Sequence, residues 1–337
     1  MKLVRSLEEL RSARPAGSVV TVGTFDGVHL GHAAVIAEAT GWARELGCTP
    51  AAMAFTRPPR SVLGTAEGTD LVTSPEHRAL LLERLGVELL LEVDFSAELA
   101  ALSAGEFAAE YLVAGFASRG LVLGHDARLG RGGAAGFDEL RRIGEAGGFE
   151  VRHVGPVVAC QKTVSSSEVR RAILGGDLAA AECLLGRPVG VLGTVVPGRG
   201  RGRKLGFPTV NLDLHREVRP PMGVYASWAY VLESLSGPPG GVPGERTGLR
   251  IPESGLRSVT NVGFRPTGGD LPADGLRSDL LVETHLLEGG ADLYGKVVEV
   301  EFIRKLREER RFSSDEALIA QIARDVEEAR KALEAAG

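Results

Sequence analysis

Two histidines three residues apart, His29 and His32, stand in the run Val22-Gly23-Thr24-Phe25-Asp26-Gly27-Val28-His29-Leu30-Gly31-His32, where an apolar strand pattern turns into a helical one. A helix N-terminus offers N–H groups without intrahelical partners and a partial positive charge, so a phosphate fits there. Two imidazoles beside it can donate further hydrogen bonds to a polyphosphate as charge develops on it. A single histidine at such a corner reads as a surface residue. The pair, set among glycines and beside Asp26, reads as a nucleotide site. Asp26 serves either to position nucleotide or metal or to stabilise the turn.

A second constellation is Ser165-Ser166-Ser167-Glu168-Val169-Arg170. Serine caps helices well, and a capped helix alone would account for it. Together with the histidine turn, the hydroxyls and Arg170 can serve the other side of a triphosphate. The third is the stretch Gly193–Leu212, dense in glycine and cation and ending in Pro208-Thr209-Val210-Asn211. Glycines let backbone N–H groups approach phosphate, and arginines neutralise it. The Thr209 hydroxyl and the Asn211 carbonyl, two residues apart at a strand end, are hard oxygen ligands suited to magnesium. An RNA-binding module would interleave aromatics with the cations, and only Phe207 is near. A Walker-type phosphate loop is absent. The loose G-x-G-x-x-A of Gly130, Gly132 and Ala135 has no helix opening on it and reads as a flexible loop.

These residues need elements to hold them. In the first half, strand patterns at Val19–Val22, Pro50–Phe55, Leu89–Val93, Leu121–Leu123 and Glu150–Val154 alternate with helical ones at Ala33–Leu46, Pro75–Leu85, Ala104–Phe116 and Phe137–Ala146. Such alternation predicts βαβ units, a parallel sheet and helices on both faces, with ligands at the carboxyl ends of the strands. The histidine turn and Gly124-His125-Asp126 both occupy that position. A helical pattern from Ser167 to Leu185 ends at Gly186-Arg187-Pro188, where the domain boundary is placed: 1–186 and 187–337. Beyond it, short Val-, Gly- and Pro-rich runs (Gly190–Val196, Gly223–Leu232, Val259–Gly263, Asp279–Leu287, Val297–Ile303) predict an antiparallel barrel or sandwich. A closing helix from Ser314 to Glu334 packs on it, and Ser234–Ser258 reads as a long exposed loop.

The chain of 337 residues has room for two cores, and its net charge of −5 argues against nucleic-acid or membrane affinity carried by charge. Cys48, Cys160 and Cys183 lack metal-ligand spacing and read as reduced thiols. No apolar run approaches the roughly 20 residues of a membrane span, and the N-terminus is too charged for a signal peptide. The expectation is a soluble cytoplasmic protein whose oligomeric state leaves no trace.

The histidine turn followed by the serine loop resembles the adenylyl-transferring nucleotidyltransferases, and Gly23-Thr24-Phe25-Asp26-Gly27-Val28-His29-Leu30-Gly31-His32 with Ser165–Arg170 resembles the flavin adenylyltransferase half of bacterial bifunctional riboflavin kinase/FAD synthetases. Downstream, the basic glycine stretch resembles that family's G-R-G-x-x-L-G-F-P-T-A-N signature. Pro221–Ala226, Asn261–Thr267, Val282–Leu287 and Leu293-Tyr294-Gly295 follow in its order. The resemblance implies a Rossmann-like α/β first domain and an antiparallel β-barrel kinase domain with a terminal helix. It implies ATP-dependent phosphorylation of riboflavin to FMN, then transfer of AMP from a second ATP to FMN, giving FAD and pyrophosphate with magnesium at both steps. Nucleotide contacts fall to Gly23, Phe25, Asp26, Gly31, Ser165, Ser166, Ser167 and Arg170, and in the kinase to Gly198, Arg203, Gly206 and Pro208. Thr209 and Asn211 hold the metal. His29 and His32 stabilise charge in the first reaction, and Glu283, alone only a strand carboxylate, takes the proton of the flavin's ribityl hydroxyl in the second. Flavin contacts fall to Asp126, Arg128, Tyr225 and Arg307.

The sequence departs from the family at several points. In Gly124-His125-Asp126-Ala127-Arg128-Leu129-Gly130 the usual two phenylalanines are Ala127 and Leu129, and Phe55-Thr56-Arg57-Pro58-Pro59 keeps only part of an F-x-P-x-P pattern. The lost aromatic area motivates an alternative reading, a riboflavin kinase with a weak or retargeted first domain.

Overall fold

Strands buried on both faces are apolar without alternation, and the first half of the chain is built of them. In the computed structural model Val20, Val22, Met53, Leu89, Leu91, Leu121 and Leu123 join one apolar cluster, while their chain neighbours Val19, Ala52, Ala54, Leu90 and Val122 join clusters on the other face. The structure describes residues 1–13, 15–56, 71–198, 200–215, 217–235, 248–250, 252, 254–264, 280–288 and 293–336. Its compact units are two. One is made from Met1–Leu71, Pro75–Ser166 and Ser234–Leu249, the other from Val72–Ser74, Ser167–Glu233 and Arg250–Gly337.

The first unit holds a six-stranded sheet: β1 Lys2–Val4, β2 Ser18–Gly23, β3 Thr49–Phe55, β4 Leu89–Val93, β5 Ser118–Gly124 and β6 Glu150–Val154. Their order is β1-β4-β3-β2-β5-β6, and every pairing is parallel. The order reverses direction between β2 and β5, which makes their carboxyl ends the crevice where such sheets bind ligands. Helices α1 Leu7–Ala13, α2 Leu30–Leu46, α3 Pro75–Arg84 and α4 Phe137–Gly147 belong to this unit. Ile36, Ala39, Trp42 and Ala43 of α2 bury one face of the sheet, while Phe107, Leu112, Phe116 and Leu140 bury the other.

The second unit begins with α5 Ser166–Leu174, all but its first residue, and α6 Leu178–Leu185. Six strands follow: β7 Val189–Val196, β8 Thr209–Leu214, β9 Gly223–Val231, β10 Leu256–Phe264, β11 Leu280–Leu286 and β12 Val297–Arg307. They close an antiparallel barrel in the order β8-β11-β10-β9-β12-β7. The terminal helix α7, Asp315–Glu334, is capped by Ser314, whose hydroxyl accepts from Ala317 N–H. Its Ala329, Ala332 and Leu333 cover Val224, Ala226 and Val259 on the outside of the wall. The alternate residues point inward. There Ser227 Oγ lies 2.8 Å from Ser258 Oγ and 2.7 Å from Thr260 Oγ1, which lies 3.0 Å from Thr284 Oγ1, so these buried hydroxyls satisfy one another.

Tyr225 also points inward, 1% exposed, against Phe302 with its hydroxyl donating to Pro221 O. Burial pushes its phenol up to about 12 from the ordinary 10.0. A raised value in the folded state means stability that is complete below the ordinary value and lost as pH rises towards the folded one. The second unit is therefore expected to lose stability between pH 10 and about 12, and Tyr225→Phe to remove that loss. Thermal melts across that window check it; an equal alkaline loss in the variant would show that another group carries it.

Several elements differ from expectation. The helix expected over Ala104–Phe116 is α-helical only at Ala104–Phe107 and then widens into a π-helical stretch at Ala108–Val113. The wider turn brings Phe107, Leu112 and Phe116 onto the same core. The single helix expected from Ser167 to Leu185 is two, α5 and α6, broken at Gly175-Gly176 with Gly176 at φ +76° and restarted by Asp177, which accepts from Ala180 N–H. The stretch Gly130–Ala135 is an ordered turn, not a flexible loop. Leu129 and Ala135 exchange backbone hydrogen bonds, and Arg131 N–H donates to Leu102 O. Of the long loop, Glu233–Leu235 pairs with Gly248–Arg250 as a ribbon, and 236–247 lies outside the described residues, as do Arg57–Pro59, Arg199 and Arg265–Thr267. Cys48 is a free thiol, but Cys160 and Cys183 are each disulfide-bonded, where reduced thiols were expected.

Candidate active sites

The turn after β2 is held in an unusual backbone. Phe25 and Val28 adopt φ of +48° and +39°, flanking Gly27 at +83°, a conformation that costs a β-branched residue energy and persists where its surroundings over-determine it. Both side chains are buried in the apolar cluster under α2 and α3. The turn ends at His29, the N-cap of α2, whose Nδ1 accepts from His32 N–H at 3.3 Å. The two imidazoles stack with centroids 3.7 Å apart and planes 12° apart, and Phe25 meets His32 edge-on at 5.3 Å. Gly31 makes the stack fit: a β-carbon there would stand 3.1 Å from the His29 ring. The helix start and the two stacked imidazoles thus come together just beyond β2.

The serine loop reaches the same turn. Ser166 Oγ donates to Asp26 O at 2.8 Å across 140 residues of sequence, and Val164 O lies near Gly31. Asp26 is 2% exposed, and its charge acts on Arg78, so it helps order the turn. Ser165 is half-buried at the mouth of α5; Ser167 and Arg170 lie on its first turns.

Arg78 is a residue that sequence reading missed. It is 1% exposed on α3, and its Nη1 donates to Thr24 O (2.8 Å) and Phe55 O (2.9 Å), the ends of β2 and β3. Nη2 donates to buried Glu92 at 3.1 Å. Burial lowers the affinity of Arg78 for its proton, and Glu92 opposes that effect. The sequence signal was a charged residue among leucines on α3.

Beyond β5 and β6 lies a cavity of about 340 Å³ whose lining includes Asp126, Ala127, Arg128, Gly136, Phe137 and His153. Asp126 is exposed. Arg128 donates to Gly133 O and Ala134 O, so it braces the turn at the cavity rim.

The barrel carries the other site on its outer face. Antiparallel register places Glu283 of β11 directly opposite Asn211 of β8 on one side and Asn261 of β10 on the other. Residues opposed in this way share a face, so carboxylate and both amides form one row. Thr209, opposite His285, lies on the same face, and Pro208 O accepts from His285 Nδ1 at 2.7 Å. The loop before β8 packs closely against this row. A β-carbon at Gly198 would stand 2.0 Å from Asn211 Nδ2, and one at Gly202 would stand 3.1 Å from Thr209 Oγ1. Gly206 sits at φ +87°, and Arg203 is exposed on the helical turn Arg201–Lys204. Asn261 had been read only as part of a longer segment; the register is what puts it beside Glu283.

Two residues expected at the flavin are held otherwise. Tyr225 offers no open ring face from inside the barrel. The Arg307 guanidinium is taken by Asp325 of α7, 2% exposed, at 2.7–3.0 Å and by Glu308 O at 3.0 Å. Both brace the wall through these contacts.

Comparison with known proteins agrees with both halves. Residues 11–168 match the FAD synthetase family, and residues 185–333 match the riboflavin kinase family. Proteins named bifunctional riboflavin kinase/FMN adenylyltransferase share 37% identity over 331 residues in Pseudomonas fluorescens (98% of this chain, 97% of that one) and 35% over 325 residues in Escherichia coli strain K12 (96% of each). The Bacillus subtilis strain 168 protein of that name shares 34% over 320 residues, covering 93% of this chain and 92% of its own. A crystal structure named a macrolide-efflux protein, from Streptococcus pneumoniae, superposes with a TM-score of 0.75 at 29% identity, covering 97% of this chain and 98% of that one. Its name concerns that protein; among the described residues here no helix is long and apolar enough to cross a membrane. With two family matches in order and relatives aligned over nearly its whole length, the chain belongs to the bifunctional riboflavin kinase/FMN adenylyltransferase family.

Proposed function

We propose that the barrel unit phosphorylates riboflavin with ATP and that the sheet unit adenylylates the resulting FMN, releasing pyrophosphate, with functional halves at 1–186 and 187–337. What supports the reading is that motif pieces far apart in sequence meet in both units: Asp26 with Ser166, and Asn211 with Glu283.

In the kinase, Glu283 accepts the proton of the ribityl hydroxyl as that oxygen attacks the γ-phosphorus of ATP, and ADP leaves. Asn211 and Asn261 flank the carboxylate and fix its direction. The glycine loop, with Gly198, Arg203, Gly206 and Pro208, lines the phosphates. Thr209 and Asn211 present two hard oxygens on one face, approached closely by the backbone of Gly198 and Gly202, and this donor set fits magnesium, whose other positions fall to phosphate oxygens and water. Such an ion supplies charge neutralisation at the phosphates.

In the adenylyltransferase, an FMN phosphate oxygen attacks the α-phosphorus and pyrophosphate leaves. No covalent enzyme intermediate is required. His29, His32 and the N–H groups at the start of α2 stabilise the developing charge, and Ser165, Ser166, Ser167 and Arg170 bind the rest of the nucleotide. Gly23, Phe25, Asp26 and Gly31 shape the turn that holds them. Asp126 contacts the flavin, and Arg128 braces the turn at that end.

Incubation of the full chain with riboflavin, ATP and magnesium, with separation of FMN from FAD, tests both steps. FMN followed by FAD and pyrophosphate is the expected sequence. FMN alone, also from reactions started with FMN, would favour a kinase with a retargeted first unit, the reading that Ala127 and Leu129 motivate.

A further inference from the structure

The two rings missing at positions 127 and 129 leave a question of what the flavin would stack on. Leu129 is buried in the core of the first unit, and Ala127 packs against the same cluster, so neither offers a ring or an open apolar face of any size. The cavity beyond β5 and β6 nevertheless has an aromatic corner. Phe137, the first residue of α4, lies with its ring centroid 4.6 Å from that of His153, on β6, with planes 54° apart. Phe137 is half-buried, with one side against the core and another lining the cavity; His153 is exposed. Two rings at such an angle form a corner into which a planar heteroaromatic can stack on one and meet the other edge-on, at the separations aromatic pairs prefer. The volume, about 340 Å³, lies within the range of small-ligand sites.

We propose that Phe137 and His153 form the stacking face for the isoalloxazine ring of FMN in the adenylyl-transfer step, and so replace the aromatic surface absent at Ala127 and Leu129. The assignment rests on the reading of the first unit as an FMN adenylyltransferase. Asp126 at the rim can accept from the imide N–H of the ring.

The test uses the full chain. Phe137→Leu keeps apolar contact with the core and removes the ring. It is expected to raise the KM for FMN in FAD formation about tenfold, as for loss of one aromatic stack. The KM for ATP and the kinase KM for riboflavin should stay within about twofold, and Phe137→Tyr should restore the wild-type KM. A packing role alone would not distinguish Leu from Tyr in this way. An unchanged KM for FMN in Phe137→Leu, or a rise in the KM for ATP instead, overturns the assignment. If the wild-type chain forms no FAD, the adenylyltransferase reading fails by itself. FMN titration of the full chain by flavin fluorescence then decides the ring pair: loss of the binding phase outside the barrel in Phe137→Leu supports it, and two identical titrations overturn it.

Discussion

Glu283→Gln is expected to lower the kinase kcat by about 10²- to 10⁴-fold, the usual worth of a positioned general base, while FAD formation from FMN continues. Glutamine keeps the size of the side chain and can still hydrogen-bond within the row set by Asn211 and Asn261, so the barrel should fold as before. What it cannot do is accept the hydroxyl proton. The KM for riboflavin should change little, because the proton moves only in the transition state. Rates of FMN formation, with FAD formation from supplied FMN as an internal control, decide the point. A variant retaining kinase turnover within about tenfold of wild type would remove Glu283 from the role of base.

Arg78→Met should cost the first unit about 3–5 kcal/mol, the usual penalty for breaking a buried ion pair by removing one partner. Glu92 is 7% exposed and would keep its charge with no buried cation to meet it. Arg5 stands 3.9 Å from its other oxygen but is largely in solvent, and compensates poorly. Thr24 O and Phe55 O would lose their donor together, loosening the turn that carries His29 and His32. FAD synthesis should fall with stability while kinase activity persists. The double variant Arg78→Met/Glu92→Leu should recover much of the stability, since the uncompensated charge is gone, but not the grip on the turn. Denaturant melts of both variants, followed with both activities, separate these effects. A single variant as stable as wild type would show that the pair is dispensable.

The sheet was legible because its strands are apolar without interruption, and the barrel because its strands are short and evenly spaced. The motif residues were legible because glycine, histidine, serine and paired oxygens are uncommon at such spacings. What stayed hidden shares a cause: it depends on what a segment meets elsewhere in the fold. The strand Lys2–Val4 is three residues long and becomes a strand only by pairing with Leu89–Leu91. The π-helical stretch at Ala108–Val113 follows from where Phe107, Leu112 and Phe116 must point. Arg78 stands unmarked in a helical pattern, and nothing local says that two strand ends lie within its reach. Tyr225 and Arg307 show the same dependence, for Pro221 O and Asp325 hold them in the wall.

The row of Asn211, Glu283 and Asn261 has a consequence for how the kinase half comes into being. Its members arrive on β8, β11 and β10, and the barrel closes through β8 pairing with both β7 and β11. Contacts between segments so distant along the chain are the slow ones in folding, because loop entropy must be met before they reward it. Asn261 and Glu283 sit on strands adjacent in the chain, but Asn211 joins them only through the long-range pairing of β8 with β11, so the complete centre requires that pairing. The enzyme's first activity in its reaction order thus depends on a contact that local folding alone does not supply.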